Sequence, residues 1–124
     1  MFFYTKTHLA LDCAANQITM HLSEYAVRIL GGIEYINLPQ VGCAVHSGEV
    51  IFDFESVKMM MAVNSPCDGV ITQINTLLEN DLPIINRSPE EEEGWICRIT
   101  LPAAMDFTRN GWMSKDEYLQ YIAK

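Results

Sequence analysis

Short segments of alternating apolar and polar residues, each ended by turn-forming residues, recur along the chain. Successive side chains of a β-strand point to opposite faces, so this pattern predicts strands that bury one face. The clearest example is 50–54, in which Val50, Phe52 and Phe54 share one face. Many short strands at close spacing, with little helix, favour a β-sandwich or a β-barrel. The other predicted strands are 34–38, 59–63, 69–74, 95–101 and a hairpin over 8–22.

Two short helices are predicted beside these strands, over 24–30 and 115–122. Ser23 can cap the first helix, and Gly31 can end it. The second helix begins with a capping box formed by Ser114 and Glu117. The 124 residues have the length of one domain, and no linker-like stretch divides them.

Composition and charge exclude several classes of function. The net charge is −8 and the eight basic residues form no cluster, so nucleic acid is not an expected partner. No apolar run is long enough to span a membrane, and Thr5 and Lys6 interrupt the apolar amino terminus where a secretory leader would be continuous. We therefore expect a soluble, cytoplasmic protein that binds no membrane.

The residues that most often bind metals or act as nucleophiles are scattered. No two of the four cysteines form a C-x-x-C pair, and the three histidines have no cysteine or carboxylate at ligand spacing. We expect no metal site, no catalytic residue and four reduced thiols, three of which lie in or beside apolar strand-like stretches and serve as small apolar side chains. The cysteines are Cys13, Cys43, Cys67 and Cys97, and the histidines are His8, His21 and His46.

One lysine stands apart from the others. The chain has four lysines, of which only Lys58 lies away from the two ends. The strands predicted at 50–54 and 59–63 are separated by only four residues, so they form a hairpin with Lys58 at or beside its tip. A tip lysine is exposed on a stiff ribbon, which suits an amine that a modifying enzyme must reach. A solvated turn lysine is the commoner fate, and the pattern of residues alone favours it.

The sequence Glu55-Ser56-Val57-Lys58 resembles the lipoylation motif of the glycine cleavage system H protein family. The resemblance continues in order and at similar spacing from Tyr4 to Leu101. The further matching positions are 22–26, 30–31, 38–39, 41–42, 48–49, 65–66, 69–70, 75, 78, 83, 86, 88–89 and 94–95.

Three positions depart from the pattern of that family. Ala10 stands where the family usually has tryptophan, and Gly32 stands where it usually has aspartate. Met59 follows the lysine where the family commonly has a small residue. These departures concern the choice of partner enzymes rather than the attachment lysine.

The resemblance implies a mainly β fold of the lipoyl/biotinyl type, a barrel-sandwich hybrid of two small sheets with short flanking helices. It implies one lipoyl-carrier domain over 1–124, with a core over about 4–101 and a helical tail over about 114–124. It also implies a carrier rather than an enzyme, with lipoate joined covalently to Lys58. Glu55, Ser56 and Val57 are then recognition elements for the modifying enzyme, the last two by setting the turn.

The partners that the resemblance implies are a lipoate ligase or lipoyltransferase and three enzymes of glycine catabolism. The lipoyl arm would shuttle an aminomethyl group between glycine decarboxylase, aminomethyltransferase and dihydrolipoyl dehydrogenase. Three alternatives stay open: an H-like carrier for another lipoate-dependent pathway such as sulfur oxidation, a biotinyl carrier, and an unmodified β-domain that only binds proteins.

Two remaining segments have simple structural interpretations. The run Met59-Met60-Met61 is predicted to fill the core, although strict alternation exposes at least one of its side chains. The acidic run 90–93 is predicted to be a solvated loop.

Overall fold

Two antiparallel sheets and four short α-helices make up the computed structural model, which describes residues 1–123. The strands are β1 (Phe2–Tyr4), β2 (Leu9–Ala14), β3 (Gln17–Leu22), β4 (Ile33–Asn37), β5 (Ala44–Val45), β6 (Val50–Ser56), β7 (Met60–Asn64), β8 (Gly69–Ile74) and β9 (Cys97–Thr100). The helices are α1 (Glu24–Leu30), α2 (Leu77–Asn80), α3 (Pro83–Arg87) and α4 (Lys115–Ile122), with single 3-10 turns at Glu92–Gly94 and Phe107–Arg109.

The six-stranded sheet has the order β1-β2-β3-β9-β8-β5, and the three-stranded sheet has the order β4-β6-β7. One hydrophobic cluster contains apolar side chains from both sheets, among them Ile18 and Ile99 from the larger sheet and Phe52 and Phe54 from the smaller one. The predicted mainly β, two-sheet fold is therefore confirmed. Because this shared cluster fixes the inner faces of the two sheets, it also fixes which side chains of β6 and β7 point outward.

The hairpin and both helices predicted from local signals are present. Strands β2 and β3 pair from Leu9↔Leu22 to Ala14↔Gln17. The Ser23 hydroxyl accepts a hydrogen bond from the amide of Ala26 at 3.1 Å, which caps α1. The predicted tail ends at Lys124, which lies outside the described residues, while the helix predicted at 115–122 is α4.

Gly31 ends α1 in the left-handed conformation, with φ of 78°. Its amide and that of Gly32 donate to carbonyls of the last turn of α1, which completes the cap. The Gly31–Gly32 turn matters for the hairpin that follows, because it lies directly against the β6–β7 connection.

Two predictions about strand faces were wrong, and both errors arise at strand ends. Val50 is exposed although Phe52 and Phe54 are buried, because the pairing of β6 with β7 shifts register between Val50 and Phe52. Ile96 is fully buried although alternation over the predicted strand 95–101 puts it on the face opposite Cys97 and Ile99. That strand begins only at Cys97, so alternation does not extend back to Ile96.

Two elements had no clear signal in the sequence. β1 has only three residues, and its pairing with β2 supplies the contacts that define it. α3 lacks a side-chain cap and is attached to β4 by one residue, Asn86. The Asn86 side chain accepts from the amide of Ile33 at 2.6 Å and donates to the Ile33 carbonyl at 3.0 Å.

All four cysteines are free thiols. Cys13, Cys67 and Cys97 are buried, and burial raises their pKa values to about 12, about 11 and about 12, respectively. Cys43 is exposed. Three of the four therefore pack as small apolar side chains, as the strand pattern predicted.

Candidate functional site

The connection between β6 and β7 consists of residues 57–59 and places Lys58 at its centre. The last cross-strand pair before the turn is Glu55↔Met60. The Lys58 side chain is exposed, and its amine has no hydrogen-bond or ion-pair partner among residues 1–123. The structure thus presents a free primary amine at the end of a two-stranded ribbon.

Ser56 forms hydrogen bonds across this turn. Its hydroxyl donates to the Met59 carbonyl at 2.8 Å and accepts from the amides of Lys58 and Met59 at 3.2 Å and 3.0 Å. The Ser56 amide also donates to the Met59 carbonyl at 2.9 Å. One buried side chain therefore satisfies several polar backbone groups beside the lysine, in a turn that lacks the Asn-Gly pair of commoner hairpins.

Val57 attaches the turn to the end of α1. Its amide donates to the Gly32 carbonyl at 3.1 Å. A side chain at Gly31 would start 3.4 Å from the Val57 β-carbon, so the two backbones approach closely at this point. The turn that carries the lysine is therefore held by the hydrogen bonds of Ser56 within it and by the hydrogen bond from Val57 to Gly32 at the end of α1.

Glu55 lies directly before this turn and is exposed. It is paired across the sheet with Tyr35 on β4 and with Met60 on β7. Paired residues of neighbouring strands point to the same face, so these three side chains form one row on the outer face of the smaller sheet. Sequence reasoning named Glu55 but missed its two neighbours in the row.

The prediction that Met59, Met60 and Met61 fill the core was wrong for two of the three. Met59 lies in the turn and is exposed, and Met60 is 65% exposed in the outer row. Met61 alone packs against the core, on the opposite face of β7. Because β7 begins at Met60, alternation along the strand places Met60 on the outer face with Glu55 and Met61 on the inner face with Phe54.

An apolar pocket of about 280 Å³ runs beside β7, on the side that faces α1. Its walls include Tyr25, Ile29, Phe54 and Met61, with the His8 ring as one polar member. Met61 is three residues from Lys58, so the pocket begins close to the hairpin tip. Burial lowers the pKa of His8.

Glu90 is not the solvated residue that the acidic run predicted. Its side chain is only 11% exposed and accepts hydrogen bonds from the Tyr4 hydroxyl, from the Lys115 amine at 3.2 Å and from the Glu24 amide at 2.8 Å. Burial and the hydrogen bond to Glu90 raise the pKa of Tyr4. The other residues of the run, 91–93, are exposed as predicted.

The three histidines are separate from one another and from the lysine. His8 bonds to the Tyr118 hydroxyl at 2.9 Å, His21 to the Pro89 carbonyl at 2.8 Å, and His46 to Glu49 at 3.3 Å. Within residues 1–123, no group of three or more His, Cys, Asp or Glu side chains is placed to hold a metal ion. Of the helices described, none is long and apolar enough to cross a membrane.

The two sheets and the lysine hairpin define the class of the protein: a lipoyl/biotinyl-type barrel-sandwich domain. Comparison with known proteins then identifies the family. The family model described as "Glycine cleavage H-protein" matches residues 2–124, and the chain belongs to that family.

Individual relatives agree with this assignment over most of the chain. The glycine cleavage system H protein of Thermotoga maritima is 36% identical over 98 residues, which are 79% of this chain and 78% of the relative. That of Rubrobacter xylanophilus is 33% identical over 96% of this chain and 90% of the relative. The crystal structure of a glycine cleavage system H protein from Mycobacterium marinum superposes with a TM-score of 0.84 and 26% identity, covering 99% of this chain and 97% of that one.

Proposed function

We propose that this protein is the lipoyl-lysine carrier of a glycine cleavage system, with lipoate attached to Lys58 through an amide bond. The observation that carries the proposal is the Lys58 amine, which has no partner within residues 1–123 and lies on an exposed turn held by Ser56, in a chain of the glycine cleavage H-protein family. Lipoate, when attached, supplies a disulfide that thiol–disulfide exchange can open and an oxidant can close.

The residues present suit the attachment of an acid by amide formation. The neutral Lys58 amine attacks the carbonyl carbon of an activated acyl group, the N–C bond forms, the bond to the activating group breaks, and the amine proton leaves to solvent. The lysine loses its positive charge in this step. Because the Lys58 amine has no partner within the described residues, no hydrogen bond or ion pair is lost when it is acylated.

The turn then serves as the base of a long arm. Ser56 and Val57 fix the direction of the lysine, and Glu55 lies where a modifying enzyme can contact it. Tethering raises the effective concentration of the arm at each enzyme that binds the protein. The apolar pocket beside β7 is suited to the methylene chain of such an arm.

The partners of this proposal are a lipoate ligase or lipoyltransferase, glycine decarboxylase, aminomethyltransferase and dihydrolipoyl dehydrogenase. In it the protein carries the reacting group and the partner enzymes perform the catalysis. Relatives named as H proteins of the glycine cleavage system support the pathway. Biotin is the competing cofactor for the same type of lysine hairpin.

Attachment is tested by producing the protein together with a lipoate ligase and measuring its intact mass. We expect one lipoyl adduct, placed on Lys58 by peptide mass spectrometry. Lys58→Arg should abolish the adduct, because a guanidinium stays protonated and is not a usable nucleophile. Lys115→Arg is the matched control and should keep it. An adduct on another lysine, or capture by streptavidin, would contradict the proposal.

The pathway is tested separately with the lipoylated, folded protein. Mixed with the other three components from its own organism, it should support glycine-dependent release of carbon dioxide. Surface differences at a transient docking site change affinity more than chemistry, so we expect activity that saturates with carrier concentration. Complete inactivity of this sample would refute the glycine assignment and leave the attachment site standing.

A further inference from the structure

The side chains that surround the Lys58 turn are unusually apolar for an exposed surface. Val57, Met59 and Met60 are all exposed in or beside the turn, and Tyr35 is 56% exposed on the neighbouring strand β4. Contiguous exposed apolar side chains on a soluble domain mark interaction sites more often than isolated ones do. We define the hairpin face as five residues: Tyr35, Glu55, Val57, Met59 and Met60.

Strand register shows that the hairpin face is a continuous surface. Tyr35, Glu55 and Met60 lie side by side across β4, β6 and β7. The opposite face of β6 carries Phe52 and Phe54, both of which are buried in the core. The row therefore points away from the protein, and the exposure of its three members shows that residues 1–123 leave it uncovered.

The charges on this surface have one sign apart from the lysine itself. The strands β4, β6 and β7, with the turn 57–59, contain three carboxylates, Glu34, Asp53 and Glu55. Lys58 is the only basic residue in the same segments. The surface around the acceptor amine is thus apolar at its centre and acidic beside it.

We propose that the hairpin face is the docking surface for the enzyme that acylates Lys58, and that this enzyme meets it with an apolar depression bordered by lysine or arginine. The inference rests on the proposed function, since it names the surface through which the proposed modification is made. An enzyme that reaches the Lys58 amine must cover the end of the turn, where Val57 and Met59 flank the lysine. Contact with Met60 and Tyr35 continues that covered area along the outer sheet face, and the carboxylates attract a basic border.

The alternative approach would come from the β7 side, over the pocket lined by Tyr25 and Ile29. That side carries no acidic residue among its lining residues, so it offers no charge to orient a basic enzyme. The two approaches make opposite predictions for substitutions at Tyr35 and Ile29.

The apolar part of the proposal is tested by steady-state acylation with a purified lipoate ligase that modifies the unaltered protein. Met60→Ser and Tyr35→Ser should each raise KM about fivefold to tenfold with little change in kcat, as loss of a central apolar contact in a small interface does. Leu119→Ser is the matched control, since Leu119 is 49% exposed on α4, which packs against β1, and should leave KM unchanged. Ile29→Ser, on the pocket side, raises KM only if the enzyme approaches from that side. Circular dichroism of each variant verifies that it is folded.

The charged part is tested with Glu34→Lys against Glu92→Lys, which reverses an exposed carboxylate of the 3-10 turn Glu92–Gly94, on a surface shared with Phe2 and Asp12. Glu34→Lys should raise KM several-fold and weaken its dependence on salt, because exposed charges are screened at high ionic strength. Glu92→Lys should behave as the unaltered protein does.

The possible results separate the docking proposal from the carrier proposal. If Lys58 is acylated and the Met60, Tyr35 and Glu34 variants keep the original KM, the docking proposal is overturned and the carrier proposal stands. If only Ile29→Ser raises KM, docking occurs on the pocket side and the proposal is likewise wrong. If the unaltered, folded protein is not acylated at Lys58 by a ligase that modifies a control carrier, both proposals fail together.

Discussion

Lys58 lies at the end of a two-stranded ribbon, whereas Lys115 begins helix α4 against the body of the protein. The Lys115 amine is 3.2 Å from both the Tyr4 hydroxyl and Glu90, and it lies 5.1 Å from the centre of the Tyr4 ring. The Lys58 amine has no such partner within the part of the chain that the structure describes. Both lysines contact solvent, so the difference that matters for modification is whether the amine already has a hydrogen-bond or ion-pair partner.

The surroundings of the two lysines differ in the same way. Near Lys115, Tyr4 and Tyr118 stack with ring centres 4.7 Å apart, and the Tyr118 hydroxyl bonds to Ser23 at 2.8 Å and to His8 at 2.9 Å. These contacts join β1, the start of α1 and α4, and we call them the tyrosine network. Near Lys58, the Ser56 hydroxyl bonds to backbone groups of the turn, and the Lys58 side chain stays exposed to solvent. The polar groups near Lys115 therefore bond to one another and stabilise the fold, whereas the Lys58 amine is accessible from outside.

Tyr118→Ala should break the tyrosine network and have the largest effect on stability. It removes a buried ring and two hydrogen bonds, so we expect the free energy of unfolding to fall by about 3–5 kcal/mol. Urea unfolding measures this, with Tyr121→Ala, a more exposed ring on the same helix, as the milder control. Acylation of Lys58 in the fraction that stays folded should be unchanged. Slower acylation of folded Tyr118→Ala would show that the two ends are coupled.

Ser56→Ala should affect the hairpin end and have the second largest effect. Losing the hydroxyl removes three partly buried hydrogen bonds, to the amides of Lys58 and Met59 and to the Met59 carbonyl, at about 0.5–1.5 kcal/mol for each bond. Acylation should slow as well, since the direction of the lysine is no longer fixed. Ser47→Ala, at an exposed loop position, should change neither quantity. Normal stability and normal acylation of Ser56→Ala would show that the backbone alone sets this turn.

The contrast between the two ends also explains what the sequence could predict. The Lys58 hairpin, α1 and α4 depend on neighbours in the chain, such as Ser23 with Ala26 or Ser114 with Glu117, and these patterns were interpreted correctly. The tyrosine network depends on pairs such as Tyr4 and Glu90, which are 86 residues apart, and no local pattern connects them. Glu90 consequently resembled its solvated neighbours until the fold brought Tyr4 beside it.

The outer row of the smaller sheet was missed for a different reason. Which methionines are exposed depends on where β7 begins and on its pairing with β6, because alternation applies only within the strand and the pair Met61↔Phe54 sets its inner face. Prediction began the strand at Met59, whereas it begins at Met60. The partner Tyr35 could be identified only from the pairing of β4 with β6.

Acid should weaken the end that contains the tyrosine network, with a smaller effect than Ser56→Ala has. Burial lowers the pKa values of His8 and His21 in the folded state, so below about pH 6.5 the unfolded chain binds more protons than the folded one. Stability is therefore complete at higher pH and falls as the pH drops through that value. Urea unfolding at about pH 7.5 and about pH 5.5, on either side of the ordinary pKa of histidine, measures the loss.

His8→Gln and His21→Gln separate these contributions. Each substitution should flatten the dependence of stability on pH, because an imidazole whose pKa is lowered by burial, and which therefore gains a proton on unfolding, is gone. An unaltered slope in His21→Gln would assign the acid sensitivity to His8, which contacts Tyr118 directly.

Glu55→Ala should have the smallest effect on stability and a clear effect on modification. Glu55 is exposed, so its removal should change the free energy of unfolding by no more than about 0.5 kcal/mol. A contact between Glu55 and a basic group of the acylating enzyme would be worth about 1.5–3 kcal/mol, so the rate of acylation at low carrier concentration should fall about tenfold or more. Glu92→Ala, which removes an exposed carboxylate beside Phe2 and Asp12, is the control and should be acylated normally. Equal rates for Glu55→Ala and the unaltered protein would show that Glu55 is not a recognition contact. Acylation would then depend on the exposed lysine and its apolar neighbours.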